Sequence, residues 1–403
     1  MSGAPKRFNE TLLLLILSAI NFAYILDFVI VMPMGPQLMR IFDINATQFA
    51  LVVSSYTISA GICGFAGIFF IDRFDRKKAL LTSFGGFTVG TLLCALAPDY
   101  TFLVLARVVT GLFGGVISAL VYSIVGDYIP YERRGSAMGK VMAAFAVASV
   151  MGVPIGLWLA AEFNWHMPFL ALGLFSAIVF LIALLGLPSM KGHLQEKTML
   201  KPFSVLKLIL KDPNQLRALV LMMLIMIAGF TVIPFISPYF VKNVGMTEME
   251  LIYNYLVGGA FTFISSQIIG KLSDKYGKRQ LLIVLCVLSI LPILLVTHIG
   301  VTPLPLAVAA STLFFILVSG RSVPGLALIT STVSPEHRGS FMSFNSAVQQ
   351  LSAGLATMIA GLIVVVGADG RLYQFGWVGI LASVVSLLTI PLVQRIRPLE
   401  KKS

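Results

Sequence analysis

The sequence predicts an all-α membrane protein: twelve transmembrane helices in two pseudo-symmetric six-helix bundles. Three observations predict it. Of 403 residues, 58% are hydrophobic and 11% charged, with a mean hydropathy of +0.94, far outside the range of soluble domains. Apolar runs of span length, roughly 20 residues, occur twelve times along the chain. A short basic loop led by an aspartate, GIFFIDRFDRKKAL from Gly67, returns as GKLSDKYGKRQLL from Gly270, each time between two apolar runs.

The recurrence divides the chain. Aligning Asp72 with Asp274 gives an offset of 202, and aligning Arg134-Gly135 with Arg338-Gly339 gives 204. Two separate landmarks agree, so residues 1–187 and 216–403 are expected to be the two bundles, with 188–215 a cytoplasmic linker. A protein built from two such repeats is expected to hold its site at their interface, near the bilayer midplane.

The expected spans are 12–34, 48–71, 79–97, 101–125, 137–161 and 167–187, then 216–240, 251–270, 280–298, 303–332, 340–366 and 372–393. Lys and Arg set their orientation: with a cytoplasmic N-terminus, 24 of the 29 fall on cytoplasmic segments and three, Arg40, Lys242 and Arg371, fall outside. This one-sided bias predicts a multi-pass membrane protein with both termini cytoplasmic. In the linker, VLKLILK has the pattern of a short amphipathic helix at the inner surface, with Lys207 and Lys211 toward the headgroups.

Several function classes are disfavoured. The net charge of +12 sits in loops between spans, not on one basic face, so no nucleic-acid partner is expected. Cys63, Cys94 and Cys286 lie in apolar runs without a CxxC pair, and His166, His193, His298 and His337 are scattered, so no metal site is expected. The first apolar run is long enough to span and is not closed by a cleavage site of small residues, so it reads as a span and not a signal. No GxxxxGK[ST] occurs, so no nucleotide cofactor is expected. The spans hold no paired carboxylates and no nucleophile beside a base, which disfavours an intramembrane enzyme. Short tails leave a sensor nothing with which to signal.

Ionisable residues inside spans are functional candidates because their burial in hydrocarbon costs several kcal/mol. Asp27 in the first span and Arg107 in the fourth lie at matching depths below the outer surface, and are expected to pair if both face the cavity. Such a pair is either a static ion pair or a proton-coupling device in which Arg107 controls Asp27. Tyr24 and Asn21 continue a polar stripe one and two turns away from Asp27.

Arg321 is the one charge within the C-terminal spans, and Gly320, Pro324 and Gly325 around it predict a kinked helix. It either contacts substrate or bonds carbonyls opened by the kink. Two arginines and one carboxylate in the membrane interior disfavour a dicationic substrate and permit a neutral or anionic one. Further cavity candidates are Asn345, Gln349 and Gln350, then Tyr253, Asn254 and Tyr255, with Phe230, Phe235 and Tyr239 for apolar contact. Pro234 and Pro238 predict a kinked gate in the seventh span. Gly111, Gly114, Gly115, Ser118, Gly152, Pro154 and Gly156 are small or helix-bending residues at close-approach spacing, suited to tight packing or to sliding.

These motifs carry a resemblance over essentially the whole chain: it resembles a twelve-span transporter of the major facilitator superfamily. The loop after helices 2 and 8 is similar to the family's G-x-x-x-D-x-x-G-[RK]-[RK] signature. The second copy matches with Gly270, Asp274, Gly277, Lys278 and Arg279. The first departs, with Ile68 at the leading glycine and Asp75 at the second. The resemblance implies that this loop latches the inner gate, its Asp capping a neighbouring helix. Asp72, Arg73, Arg76 and Lys77 inherit that role, with Asp127, Glu132 and Glu336 as acidic partners and Arg134 and Arg338 in the paired motif.

ILDFVIVMP, with Asp27 and Pro33, resembles the helix 1 element of bacterial drug:proton antiporters, and LARVVTGLFGG resembles the helix 4 element whose Arg is implicated in proton transfer. GVPIGLWLA is closer to the G-x-P-x-G form of sugar-efflux-like members. The expected activity is therefore efflux of a small organic solute against proton influx by alternating access, without cofactor, in a monomer embedded in the lipid bilayer. The alternatives are a proton-independent uniporter or importer, and a lipid-moving member of the same family.

Overall fold

The computed structural model describes residues 10–190, 211–334, 338–397 and 399, with Asp72, Tyr131, Glu132 and Arg338 described by backbone alone. The linker stretch around Lys207 and the acidic candidate Glu336 lie outside these residues.

The helices are α1 (Glu10–Ile30), α2 (Gly35–Ile41), α3 (Ala46–Gly67), α4 (Arg76–Ala95), α5 (Tyr100–Gly114), α6 (Ile117–Tyr128), α7 (Tyr131–Val147), α8 (Val153–Glu162) and α9 (His166–Gly186). The second half follows with α10 (Pro213–Phe230), α11 (Ile233–Tyr239), α12 (Glu250–Tyr276), α13 (Lys278–Leu288), α14 (Ile290–His298), α15 (Leu304–Gly320), α16 (Ser322–Thr330), α17 (Arg338–Ile363) and α18 (Phe375–Arg395). An antiparallel hairpin, β1 (Val365–Val366) with β2 (Leu372–Tyr373), joins the last two.

Eleven of the described helical segments are long and apolar enough to cross a membrane. The expected eighth span is α12, a continuous helix of 27 residues that is not among the eleven. Its length suffices, but Asn254, Gln267, Lys271, Asp274 and Lys275 dilute its apolar character.

Breaks recur at related places in the two halves. Span 1 pauses after Ile30 before the Pro36 turn of α2, and span 7 pauses after Phe230 before Pro234 in α11. Span 4 pauses at Gly115–Val116, and span 10 pauses at Arg321, before Pro324. A proline interrupts its helix because it lacks the N–H and its ring displaces the carbonyl four residues back. The same chemistry accounts for the π-turn Ala148–Gly152 just before Pro154, which cannot bond the carbonyl of Val150.

Two long faces join the halves. Between α3 and α17, a Cβ on Gly354 would lie 2.6 Å from Ile58 Cγ1, one on Gly61 would lie 2.6 Å from Leu351 Cγ, and Thr47 Oγ1 donates to the Gly361 carbonyl at 2.7 Å. On the other side, α12 meets the π-turn, where a Cβ on Gly259 would lie 2.8 Å from the Ser149 carbonyl oxygen. At the end carrying Arg40, the guanidinium of Arg40 pairs with Glu248 across the halves, and Phe49 meets Phe235 edge-on at 5.8 Å. Toward the basic-loop end, Phe65 of α3 meets Phe344 of α17 at 5.6 Å, and α7 exposes Met142, Phe145 and Val147.

Candidate functional site: a buried ion pair beside the inter-half seam

Asp27 and Arg107 are both fully buried, and Arg107 Nη1 donates to Asp27 Oδ2 at 2.6 Å and to the Asp27 main-chain oxygen at 3.3 Å. Thr91 Oγ1 of α4 donates to Asp27 Oδ1 at 3.0 Å, so each carboxylate oxygen has a partner. The Tyr56 ring lies 4.3 Å from Arg107 Cζ, within cation–π range. Four helices thus converge: α1 supplies the carboxylate, α5 the guanidinium, α4 a hydroxyl and α3 an aromatic face. Two polar atoms here, Tyr56 Oη and Arg107 Nε, are buried without a hydrogen-bond partner.

Glycine lets these helices come close enough. A Cβ on Gly111 would collide with Ser59 Oγ and the Tyr56 carbonyl oxygen, so α5 can approach α3 only with glycine there. In the π-turn, a Cβ on Gly152 would lie 2.8 Å from Leu26 Cδ1, and one on Gly156 would strike Ile30, the residues flanking Asp27 in α1. The small-residue positions of spans 4 and 5 therefore serve close packing around the pair.

The polar stripe of α1 divides at Asn21. Asn21 Nδ2 donates to the Val141 carbonyl at 3.2 Å and Oδ1 accepts from Ser118 at 3.4 Å, holding α1 against α6 and α7. Tyr24 reaches across the seam, its Oη accepting from Gln350 Nε2 of α17 at 2.6 Å. One turn further, Phe28 stands 5.7 Å from Phe230 of the other half and stacks 5.9 Å from Tyr56. Hydrogen bond and aromatic contact both link the seam to the ion pair.

Other candidates fall elsewhere. Gln350, not its neighbour Gln349, crosses the seam, because adjacent helical residues point about 100° apart. Tyr253 is 56% exposed, whereas Asn254 and Tyr255 of the same turn are buried, bonding Ser311 and Ser237 respectively. Asn345 is buried with both amide atoms unpartnered. Arg321 contacts only its own half: Nε donates to the Val318 carbonyl at 3.2 Å and Nη1 to Ser386 Oγ at 2.7 Å and Ser289 Oγ at 3.4 Å. It does not join the seam residues in these contacts.

The basic loop differs from the expected latch in one respect. Arg76 Nε pairs with Asp127 Oδ2 at 3.1 Å, as the resemblance implied, and the carboxylate at the N-cap of α4 is Asp75, the side chain of Asp72 lying outside what is described. Asp75 Oδ1 accepts from the backbone N–H of Lys77 and of Met190, each at 2.9 Å, and Oδ2 accepts from Ser189 Oγ at 2.5 Å. The departure from glycine therefore installs a carboxylate that ties the loop to the chain after α9. Burial opposes its ionisation, but the hydrogen bonds from Ser189, Met190, Lys77 and Lys78 together hold its carboxyl below the usual range.

In the second copy, Gly277 has φ +92°, the left-handed region that favours glycine. Gly270 has open space around its Cβ position, so close packing does not explain that glycine. Asp274 is exposed and has no polar partner among the described residues. Arg279 Nη2 donates to the Ile396 carbonyl at 2.5 Å, while Arg73 and Lys278 show no side-chain bond among the described residues. Arg134 Nη2 approaches the Ile129 carbonyl at 3.4 Å. Among the described residues no group of three His, Cys, Asp or Glu side chains is placed to hold a metal ion.

Comparison with known proteins adds the following. The family model described as Major Facilitator Superfamily matches residues 17–324 and 268–403. The chain is 29% identical over 369 residues to the uncharacterized MFS-type transporter YwfA of Bacillus subtilis, covering 89% of this chain and 85% of that one. It is 25% identical over 367 residues to the inner membrane transport protein YdhP of Escherichia coli O157:H7, covering 90% of each. Among solved structures, a bacterial homolog of the human lysosomal transporter Spinster, inward-facing and unoccupied, superposes with a TM-score of 0.76 at 17% identity, covering 97% of both chains. A D-xylose-proton symporter superposes with a TM-score of 0.75 at 15% identity, covering 96% of this chain and 99% of that one.

Proposed function

We infer that this chain, which belongs to the Major Facilitator Superfamily, is a twelve-span secondary transporter that exports a small organic solute in exchange for protons. On this reading α12 is the eighth span and brings the total to twelve, residues 1–187 and 216–403 are the two moving bundles, and 188–215 is the link between them. The observation that carries the reading is the Asp27–Arg107 pair, buried at 2.6 Å one helical turn from the Tyr24–Gln350 bond across the halves. A carboxylate held by a guanidinium and one hydroxyl in a dry site changes protonation only when that pairing is disturbed. Rearrangement of the seam beside it is a physical means of disturbing it.

The mechanism follows from the contacts. The Arg40–Glu248 contact closes the end opposite the basic loops, and on this reading the basic-loop end is where the bundles part. Those loops lie on the cytoplasmic side of an inner membrane, and the chain acts as a monomer, with a proton gradient and no bound cofactor. Asp27 takes up a proton when Arg107 is drawn away and releases it when the pair re-forms. Tyr24, Phe230 and Gln350 line the region where a neutral or anionic solute would part the halves. The Asp75–Arg76–Asp127 group and its counterpart around Gly277 and Arg279 steady the basic-loop end as the bundles rock.

The test is ligand-induced thermal stabilisation of the purified protein and Asp27→Asn, from about pH 5.5 to 8.5, against neutral sugars, organic anions and lipophilic cations. A hit is then reconstituted and its transport measured with and without an imposed pH gradient. Coupling predicts pH-dependent binding in the wild type that flattens in Asp27→Asn, and transport that follows the gradient. Equal pH profiles in the two proteins, with transport indifferent to the gradient, would instead establish a uniporter or importer.

A further inference from the structure

Two arginines are fully buried in the spans, and they are treated differently. Arg107 has its carboxylate. Arg321 has none: no carboxylate among the described residues lies within ion-pair distance of it. Its surroundings are neutral. Val318 offers a carbonyl to Nε, and Ser289 and Ser386 offer hydroxyl oxygens to Nη1.

Those hydroxyls accept from the guanidinium but carry no negative charge, so they do not neutralise it, and their protons point to carbonyls. Ser289 donates to the Cys286 carbonyl at 2.9 Å, Ser386 to the Ala382 carbonyl at 2.8 Å, and nearby Thr389 to the Ser386 carbonyl at 2.5 Å. Nη2 is buried with no hydrogen-bond partner among the described residues. A guanidinium does not shed its proton to escape such a site, unlike a lysine. An unpaired charge with free N–H groups in a water-poor interior is among the costliest arrangements a fold can carry. The break of span 10 at Arg321, between α15 and α16, places the group where the helix is already interrupted.

We propose that Arg321 is the core of a small-anion site within the C-terminal half, in which Nη2 holds a monovalent anion the size of chloride or a short carboxylate. The cluster of Arg321, Ser289, Ser386 and Thr389 is wholly enclosed, which limits the occupant to a few atoms and excludes a drug-sized solute. The site shares no contact residue with the Asp27–Arg107 pair, so it stands or falls separately from proton coupling. An anion there would cement α14, α15 and α18 into one unit.

The test uses the purified full-length protein at constant ionic strength, with gluconate exchanged stepwise for chloride, bromide, acetate or sulfate. Chloride or acetate is expected to raise the Tm along a saturating curve, by on the order of 2 °C or more. Sulfate is expected to add nothing beyond gluconate. Chloride and acetate separate the two candidate chemistries, and a response to either supports a small-anion site.

Arg321→Gln is expected to abolish the response. A crystal grown in bromide reports on the wild type alone if that variant fails to fold: an anomalous peak within about 3.5 Å of Arg321 Nη2 is expected, as for a charge-assisted contact. The proposal is overturned if the wild-type Tm is the same in gluconate, chloride and acetate, if Arg321→Gln keeps the response, or if chloride raises the Tm while bromide occupies no position beside Arg321.

Discussion

Gln350 Nε2 donates to Tyr24 Oη at 2.6 Å, a direct bond between the two halves. Tyr24→Phe and Gln350→Ala each remove this bond and should each cost about 1 kcal/mol in the state closed at the Arg40 end. The double variant should cost little more than either single one. A double-mutant cycle on thermal unfolding checks this, and fully additive losses would show that the bond carries no coupling.

Asp27→Ala leaves Arg107 buried without a counter-charge. A loss of about 3–5 kcal/mol is expected, as for other broken buried pairs. Asp27→Asn with Arg107→Gln removes both charges together and should recover part of that loss. Unfolding of the single and double variants in detergent measures the recovery; a double variant as unstable as the sum would exclude electrostatic coupling.

Gly111→Ala pushes a methyl group into Ser59 Oγ and the Tyr56 carbonyl oxygen. Backbone cannot swing aside like a side-chain tip, so the substitution should destabilise by about 1–3 kcal/mol. Gly126→Ala, where nothing lies within 4 Å, is the control and should be neutral or slightly stabilising. Comparable Tm losses in both variants would contradict the close approach.

Asp75 sets a pH dependence with a definite sign. Its folded-state pKa is depressed, so its contribution is fully present above the unfolded value, about 3.9. That contribution is lost as pH falls through the folded value. The Tm difference between wild type and Asp75→Asn should stay constant from about pH 7 to 5 and shrink below about pH 4. A difference that grows on acidification would contradict the hydrogen-bonded carboxylate seen here.

Much of this arrangement was legible in the sequence because the membrane makes charges informative. Depth alone matched Asp27 to Arg107, and the count of basic residues placed Arg76 on the same side as Asp127; both pairs are in contact. Proline positions foretold the interruption of span 7. What escaped depended on rotation about a helix axis or on contacts between distant loops. Gln349 and Gln350 are equivalent as letters, and only the phase of α17 decides which meets Tyr24. Asp75 reads as a lost glycine until Ser189 and Met190 are seen against it, 114 and 115 residues away.

The paired interruptions in spans 1, 4, 7 and 10 have a mechanical consequence. A rod made of two stiff segments and a joint bends at low cost in one place and resists bending elsewhere. Four such joints, two in each half, would concentrate any bending at those points, without any helix having to deform along its whole length. Straightening one joint, for instance by replacing Pro234 and Pro238 with alanine, should therefore stiffen the gate and slow turnover while leaving the resting shape intact.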